Sequence, residues 1–291
     1  MIQWKLVGFF QTLNGYDTGT QGETRLHKDA SGIVTLITDF GLRDEYAGAM
    51  KGAILKVNPR CQIIDVTHQI EPQDVRRAAF VLRNTYPYYP TGTVHMVVVD
   101  PGVGMQRRPV ILHKGGHFFV GPDNGVFTFV LSASGKTGGY EITRREFFLS
   151  PLSETFHGRD IFAPVAGHLS LGQDPKRFGP RAGDFVRAEW PRPRLRGEKL
   201  LGQILFSDSF GNLITNISRE EYGSLSAERP LRIKGKGWRI DRIHRTYGQG
   251  KPGAPLALFG SSGLLEIAVS GGSAKKDLGL KPGDRLVVTL L

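Results

Sequence analysis

A chain of 291 residues, 40% hydrophobic and 22% charged, has an ordinary globular composition with room for two domains. Its single cysteine, Cys61, excludes an internal disulfide framework and a cysteine-based zinc site, and no apolar run approaches the ~20 residues that cross a bilayer. The formal charge of +11 is spread along the chain; the densest stretch, Arg187 to Lys199, carries Pro191, Pro193 and Gly197 but no nucleic-acid motif, so it reads as a solvated linker and no nucleic-acid partner is expected.

Residues 1–31 show no sustained period and lack the charged-then-apolar pattern of a secretory signal, which predicts a loosely attached extension on a cytoplasmic protein with no membrane partner. From Gly32 the pattern sharpens. Ile33 to Thr38 is a β-branched apolar run that predicts a buried strand ending at Asp39-Phe40-Gly41. Tyr46, Ala49, Met50, Ala53, Ile54 and Val57 recur at helical spacing, and Asn58-Pro59 stops them. Cys61, after that stop and before the next apolar run, reads as a buried structural thiol. Gln62 to Val66 is a second strand, Asp74 to Tyr86 a second helix with Val75, Ala78, Ala79 and Leu82 on one face, and Thr93 to Val99 a third strand ending at Asp100-Pro101-Gly102. Pro109 to His113 and His117 to Val120 flank a Gly115-Gly116 turn. Strands alternating with helices predict an α/β domain over residues 32–186, with a mostly parallel sheet and helices on both faces.

Residues 187–198 form the expected linker, after which the texture changes. Leu201 to Phe206, Leu213 to Ile217, Leu231 to Lys234, Trp238 to Ile243, Pro255 to Phe259, Leu264 to Val269 and Arg285 to Leu290 are short β-type runs between glycine-rich turns. They predict a small all-β, barrel-like domain over residues 199–291.

Four polar clusters sit at the ends of apolar runs: Thr38 to Gly41, Asp100 to Gly104 with Arg107, Phe156 to Asp160, and Asp208 to Asn212. Each alone has a structural explanation, as a helix cap, a turn or a satisfied histidine. In parallel α/β sheets, however, ligands bind beyond the carboxyl ends of the strands, where Asp39 and Asp100 fall. Glu266 stands out separately, because an acidic residue within the apolar run Leu264 to Ala268 needs a partner or an outward-facing position.

Taken together, the segments ITDFG (Ile37 to Gly41), IIDVTHQI (Ile63 to Ile70), VVDPGVGMQRR (Val98 to Arg108), GPDNGVF (Gly121 to Phe127), ETFHGRDIFAP (Glu154 to Pro164), DSFGNLITNI (Asp208 to Ile217) and LEIAVSGGSA (Leu265 to Ala274) resemble the S-adenosyl-L-methionine hydroxide adenosyltransferase family. These adenosine-forming hydrolases are relatives of the enzymes that join halide to C5′ of the same substrate. The seven blocks run in family order over roughly residues 33–291. The resemblance implies hydrolysis of S-adenosyl-L-methionine to adenosine and L-methionine by a water held by Asp100, Arg107 and His157, a triad the halogenating relatives lack. Transfer of chloride or fluoride is the alternative. Arg107 rather than Arg108 is assigned by its offset from Asp100.

The chemistry suits those residue types. A sulfonium already makes methionine a good leaving group, so the task is to align a water with C5′ and strip part of its hydration. Asp100 and His157 are expected to accept hydrogen bonds from the water, either of them taking its proton, while Arg107 holds the carboxylate ionised. The resemblance further implies that Asp39 binds the ribose hydroxyls and that Phe156 and Phe210 sandwich the nucleoside. Asp208 and Asn212 would contact the methionine portion or the base, and Ser261, Glu266 and the Val269 backbone would lie near the adenine edge. Tyr46 is either a contact to the methionine portion or a core aromatic. Sites in this family lie between subunits, so a homotrimer is expected, with no cofactor. Nucleotide-cofactor enzymes are the weaker fit, because no glycine-rich phosphate loop follows the first strand. A metal hydrolase is weaker too, because Asp100, Asp123, His157 and Asp160 lack the usual ligand spacing.

Overall fold

A computed structural model describes residues 30–226 and 231–290. The extension assigned to residues 1–31 therefore lies almost wholly outside the described residues. The first sheet contains β1 (Ile33–Thr38), β2 (Gln62–Thr67), β3 (Val94–Val98), β4 (Pro109–Lys114), β5 (His117–Pro122) and β6 (Gly138–Glu141), in the order β2-β1-β3-β5-β4-β6. Strands β2, β1, β3 and β5 pair in parallel, while β4 pairs antiparallel with both β5 and β6. The sheet is thus mixed, with β4 alone reversed, as the tight Gly115-Gly116 turn requires of consecutive strands.

Side chains alternate between the two faces with the strand period. Val34, Leu36, Met96, Val98, Ile111, Phe118 and Val120 bury one face under α1 (Tyr46–Val57) and α4 (Ala163–Ser170). Ile37, Val97, Val99, Leu112 and Phe119 bury the other under α2 (Val75–Thr85) and α3 (Thr128–Ser132). Asp74 caps α2, its carboxylate accepting from the Arg77 N–H at 2.9 Å. Cys61 is buried in the first of these cores, and burial pushes its thiol pKa up.

The second sheet is a nearly closed barrel. Its strands are β7 (Arg194–Arg196), β8 (Lys199–Ser207), β9 (Leu213–Ser218), β10 (Leu231–Gly235), β11 (Trp238–Ile240), β12 (Ile243–His244), β13 (Pro255–Phe259), β14 (Leu264–Val269) and β15 (Arg285–Leu290). The path runs β11-β10-β15-β8-β9-β14-β13-β12, with β7 attached to β8 and β11 lying against β13 to bring the ends together. The β-type run expected over Trp238 to Ile243 is broken at Asp241-Arg242, and part of the expected linker forms β7.

The domains meet on aromatic rings. Phe80 of α2 lies 4.7 Å from Phe206 of the barrel and stacks on Trp190 at 6.0 Å, while Phe129 meets Trp190 edge-on at 4.7 Å. Burying a ring as fully as Phe80 and Phe206 are buried stabilises the join by about 1.5–3 kcal/mol. No helix among the described residues is long and apolar enough to cross a membrane.

Candidate active site

The loops leaving β1 and β3 at their carboxyl ends face a third loop, Ser153 to His157, that enters a π-helical turn (Gly158–Phe162) ahead of α4. Two glycines let the β3 loop fold tightly. Gly104 has φ 74°, and a Cβ there would stand 2.6 Å from the Glu154 carbonyl oxygen. At Gly102 a Cβ would press on the Arg107 side chain at 3.2 Å. Arg107 therefore folds back over its own loop and reaches both of the other two sequence-predicted partners.

Its Nε donates to Asp100 Oδ2 at 2.8 Å, its Nη2 lies 2.6 Å from the same oxygen, and Nη2 also donates to His157 Nδ1 at 2.7 Å. The Asp100 and Arg107 side chains are only 5% and 9% exposed, so water screens this pair weakly. Arg107 packs behind the site, its guanidinium 5.3 Å from the Phe162 ring centre, while Asp100 and His157 line the open cleft. Arg108 turns elsewhere, to Asp123 at 2.6 Å and Asp184 at 2.9 Å, which separates the two adjacent arginines. Asp160 is likewise engaged, by Arg159 at 2.6 Å and the Ser153 N–H at 2.8 Å.

This arrangement fixes the histidine tautomer. A guanidinium only donates, so His157 Nδ1 must carry a lone pair, and the neutral ring bears its proton on Nε2. His157 consequently presents a donor, where the sequence reading expected it to accept. Burial, followed by the neighbouring Arg107 charge, lowers the His157 pKa and keeps the ring neutral.

The cleft encloses about 690 Å³ and is lined by Asp39, Phe40, Tyr46, Gln73, Asp100, Phe156 and His157, among others. That volume lies in the range of small-molecule sites. Tyr46 is 43% exposed and is not a core residue: its ring lies 5.2 Å from Phe156 and 5.8 Å from Phe40. Gln73 is a lining residue that sequence reasoning missed. It is the only non-glycine residue with positive φ among those described (68°), and its N–H donates to Asp39 Oδ2 at 2.8 Å. Backbone strain of this kind clusters at functional sites, but nothing in the residue type signals it.

The barrel candidates form a second group. Asp208 Oδ1 accepts from the Phe210 and Asn212 N–H groups at 3.0 and 2.8 Å, and Oδ2 accepts from Asn212 Nδ2 at 2.9 Å. Glu266 on β14 is buried, and burial raises its carboxyl pKa; the partner it needed is the Tyr247 hydroxyl, donating at 2.7 Å. Tyr247 was not singled out from the sequence. Val269 closes the same strand, while Ser261 sits in the exposed turn before it. Phe210 is 80% exposed. None of Asp208, Phe210, Asn212, Ser261, Glu266 and Val269 lines the Asp100 cleft within one chain.

The fold and cleft together define a two-domain protein with an Asp–Arg–His site at the carboxyl ends of an α/β sheet. Family models for the N-terminal and C-terminal domains of SAM hydroxide adenosyltransferases match residues 34–179 and 202–287, and the chain belongs to that family. It is 39% identical to a Thermus thermophilus protein named (R)-S-adenosyl-L-methionine hydrolase, the match covering 86% of this chain and 96% of that one. A Nocardia brasiliensis protein named fluorinase is 27% identical, over 86% of this chain and 94% of its own length. A Thermotoga maritima crystal structure superposes with a TM-score of 0.81 at 38% identity, covering 88% of this chain and 99% of that one.

Proposed function

We propose that this protein hydrolyses S-adenosyl-L-methionine to adenosine and L-methionine, and the observation that carries the reading is the joined Asp100–Arg107–His157 hydrogen-bond system at the wall of the cleft. The greater similarity to hydrolases than to the fluorinase supports water over halide as nucleophile. The hydrolase relatives' names specify the R configuration at sulfur, and that diastereomer is the proposed substrate.

In this reading a water sits between Asp100 and His157. The His157 Nε2–H donates to the water oxygen, and Asp100 accepts one of its protons, leaving the remaining lone pair for C5′. The oxygen attacks C5′ opposite sulfur, the C5′–S electron pair passes to sulfur as methionine leaves, and the proton goes to Asp100. A cationic leaving group needs no general acid, so the reading requires no metal, cofactor, nucleic acid or membrane. Arg107 keeps the carboxylate oriented while remaining outside the reacting line.

Asp39 takes the ribose hydroxyls, which suit a two-oxygen acceptor. Tyr46 takes the methionine portion, and Phe156 packs on the nucleoside. The barrel residues Asp208, Phe210, Asn212, Ser261, Glu266 and the Val269 backbone complete the site for a neighbouring subunit of a cytoplasmic homotrimer. The exposed Phe210 ring and the separation of this group from the cleft support that arrangement. Incubating the protein with S-adenosyl-L-methionine in chloride or fluoride buffer should yield adenosine and methionine in equal amounts. A 5′-halo-5′-deoxyadenosine product would overturn the assignment.

A further inference from the structure

The block IIDVTHQI has no part in the chemistry above, yet its histidine is almost completely buried, 2% exposed, directly behind the cleft. His68 Nδ1 lies 2.8 Å from Thr38 Oγ1. That hydroxyl already accepts the Phe40 N–H at 3.2 Å, so its single proton is free to go to His68. On the far side of the ring, Nε2 comes within 3.0 Å of Asp65 Oδ1, off the line of a straight hydrogen bond, and Lys51 holds Asp65 Oδ2 at 2.5 Å. A lone pair on Nε2 would face a carboxylate, so the proton belongs there and Nδ1 is the acceptor. The chain of donors is therefore directed: Asp65 orients His68, His68 orients the Thr38 hydroxyl, and that hydroxyl holds the Phe40 N–H.

Backbone contacts tie the same two segments together. The Gly41 N–H donates to the His68 carbonyl at 2.7 Å, and the Ile70 N–H to the Thr38 carbonyl at 3.3 Å. The Gln73 N–H, a few residues further on, reaches the Asp39 carboxylate. Asp39 thus lies between two residues, Thr38 and Phe40, whose backbone and hydroxyl are fixed from the loop after β2. A Thr–His–Asp series usually suggests a nucleophile, but Thr38 is fully buried and lines no part of the cleft. Its hydroxyl faces inward and cannot meet a substrate.

We infer that Asp65, His68 and Thr38 form a positioning relay that sets the Asp39 carboxylate for the two ribose hydroxyls. The inference rests on the proposed ribose role of Asp39. The relay confers selectivity for a vicinal diol and leaves the reacting water to the Asp100 side of the cleft.

The test is the affinity of the whole enzyme for adenosine relative to 2′,3′-dideoxyadenosine, read by calorimetry, alongside KM and kcat for S-adenosyl-L-methionine. Asp39→Asn sets the scale by collapsing the preference for the diol. Thr38→Val and His68→Phe should each lower that preference about tenfold and raise KM by a similar factor, with kcat within about twofold. Thr38→Ser and His68→Asn, which retain a hydroxyl and an acceptor at the Nδ1 position, should restore both values. Asp65 is partly exposed, so Asp65→Asn tests the relay in a protein that folds even if a buried variant does not; it should shift the preference in the same direction. Wild-type preference in Thr38→Val, His68→Phe and Asp65→Asn, with the Asp39→Asn preference collapsed, would overturn the relay alone. An unchanged preference in Asp39→Asn would instead remove the ribose reading, and the relay with it.

Discussion

Replacing Arg107 by methionine removes a guanidinium that makes contacts of 2.8 and 2.6 Å to Asp100 and 2.7 Å to His157. Two consequences follow, with separate magnitudes. First, the Asp100 side chain, 5% exposed, is left without its partner, and breaking a buried pair on one side costs about 3–5 kcal/mol of stability. Second, the water loses both an oriented carboxylate and a histidine of fixed tautomer. Each charge-assisted hydrogen bond is worth about 1.5–3 kcal/mol, so losing the alignment of two groups should lower kcat about 10²–10⁴-fold. The assays are urea unfolding for stability and initial adenosine release at saturating S-adenosyl-L-methionine for activity. Adding Asp100→Asn to Arg107→Met removes the orphaned charge, so the double variant should regain most of the lost stability and none of the activity. Arg107→Lys should rescue stability in part but activity poorly, because one ammonium cannot reproduce the fork. Activity that returned together with stability in Arg107→Lys would refute the reasoning, since Arg107 would then act only as a structural counter-ion.

The lowered His157 pKa means the folded ring stays neutral as pH falls past its ordinary 6.5, so the acid limb of kcat should lie below that value; a limb above it would contradict the Nδ1 acceptor. His95, buried against Thr35 and His117 and lowered to about 3, protonates more readily when unfolded. Stability is therefore complete above pH 6.5 and declines below it, by about 2 kcal/mol at pH 5 from this group; urea unfolding should show that loss in the wild type and not in His95→Gln. If sites form between subunits, Asp100→Ala and Asn212→Ala chains, each inactive alone, should recover activity when unfolded and refolded together, since mixed trimers contain sites with neither change; two separately inactive pools that stay inactive after mixing would argue for sites within one chain.

Much of the fold was legible because burial imposes its period on the sequence. Ile33 to Thr38, Tyr46 to Val57, Pro255 to Phe259, Leu264 to Val269 and Arg285 to Leu290 form elements over the expected residues. Each is an apolar run, a two-residue alternation or, for Tyr46 to Val57, a 3.6-residue recurrence of the kind that burial in a core selects. Strand direction leaves no such trace. The reversed β4 is a buried apolar run like its parallel neighbours, and only the short Gly115-Gly116 turn betrays it. Phe80 was passed over because it lies off the apolar stripe of α2; it is buried by the barrel, through a contact no local pattern encodes. Arg194 to Arg196 read as linker because prolines and charges mark solvent, yet pairing to β8 makes them a strand.

The site divides along the same line. Ordered motifs identified Asp100, Arg107 and His157 as residues, and the offset from Asp100 chose between two adjacent arginines. What those residues can do depended on which atoms meet. A histidine beside an aspartate and an arginine can hold either tautomer on paper, and the expectation that it accepts from water was as reasonable as its opposite. Once the donor-only guanidinium occupies Nδ1, the choice disappears, and with it the symmetry between Asp100 and His157 as proton acceptors. The same reasoning, applied to a hydroxyl already accepting from a backbone N–H, gives His68 its direction. In both cases chemical direction comes from counting donors at one atom, which requires coordinates, while the residue types that make the count decisive were present in the sequence from the start.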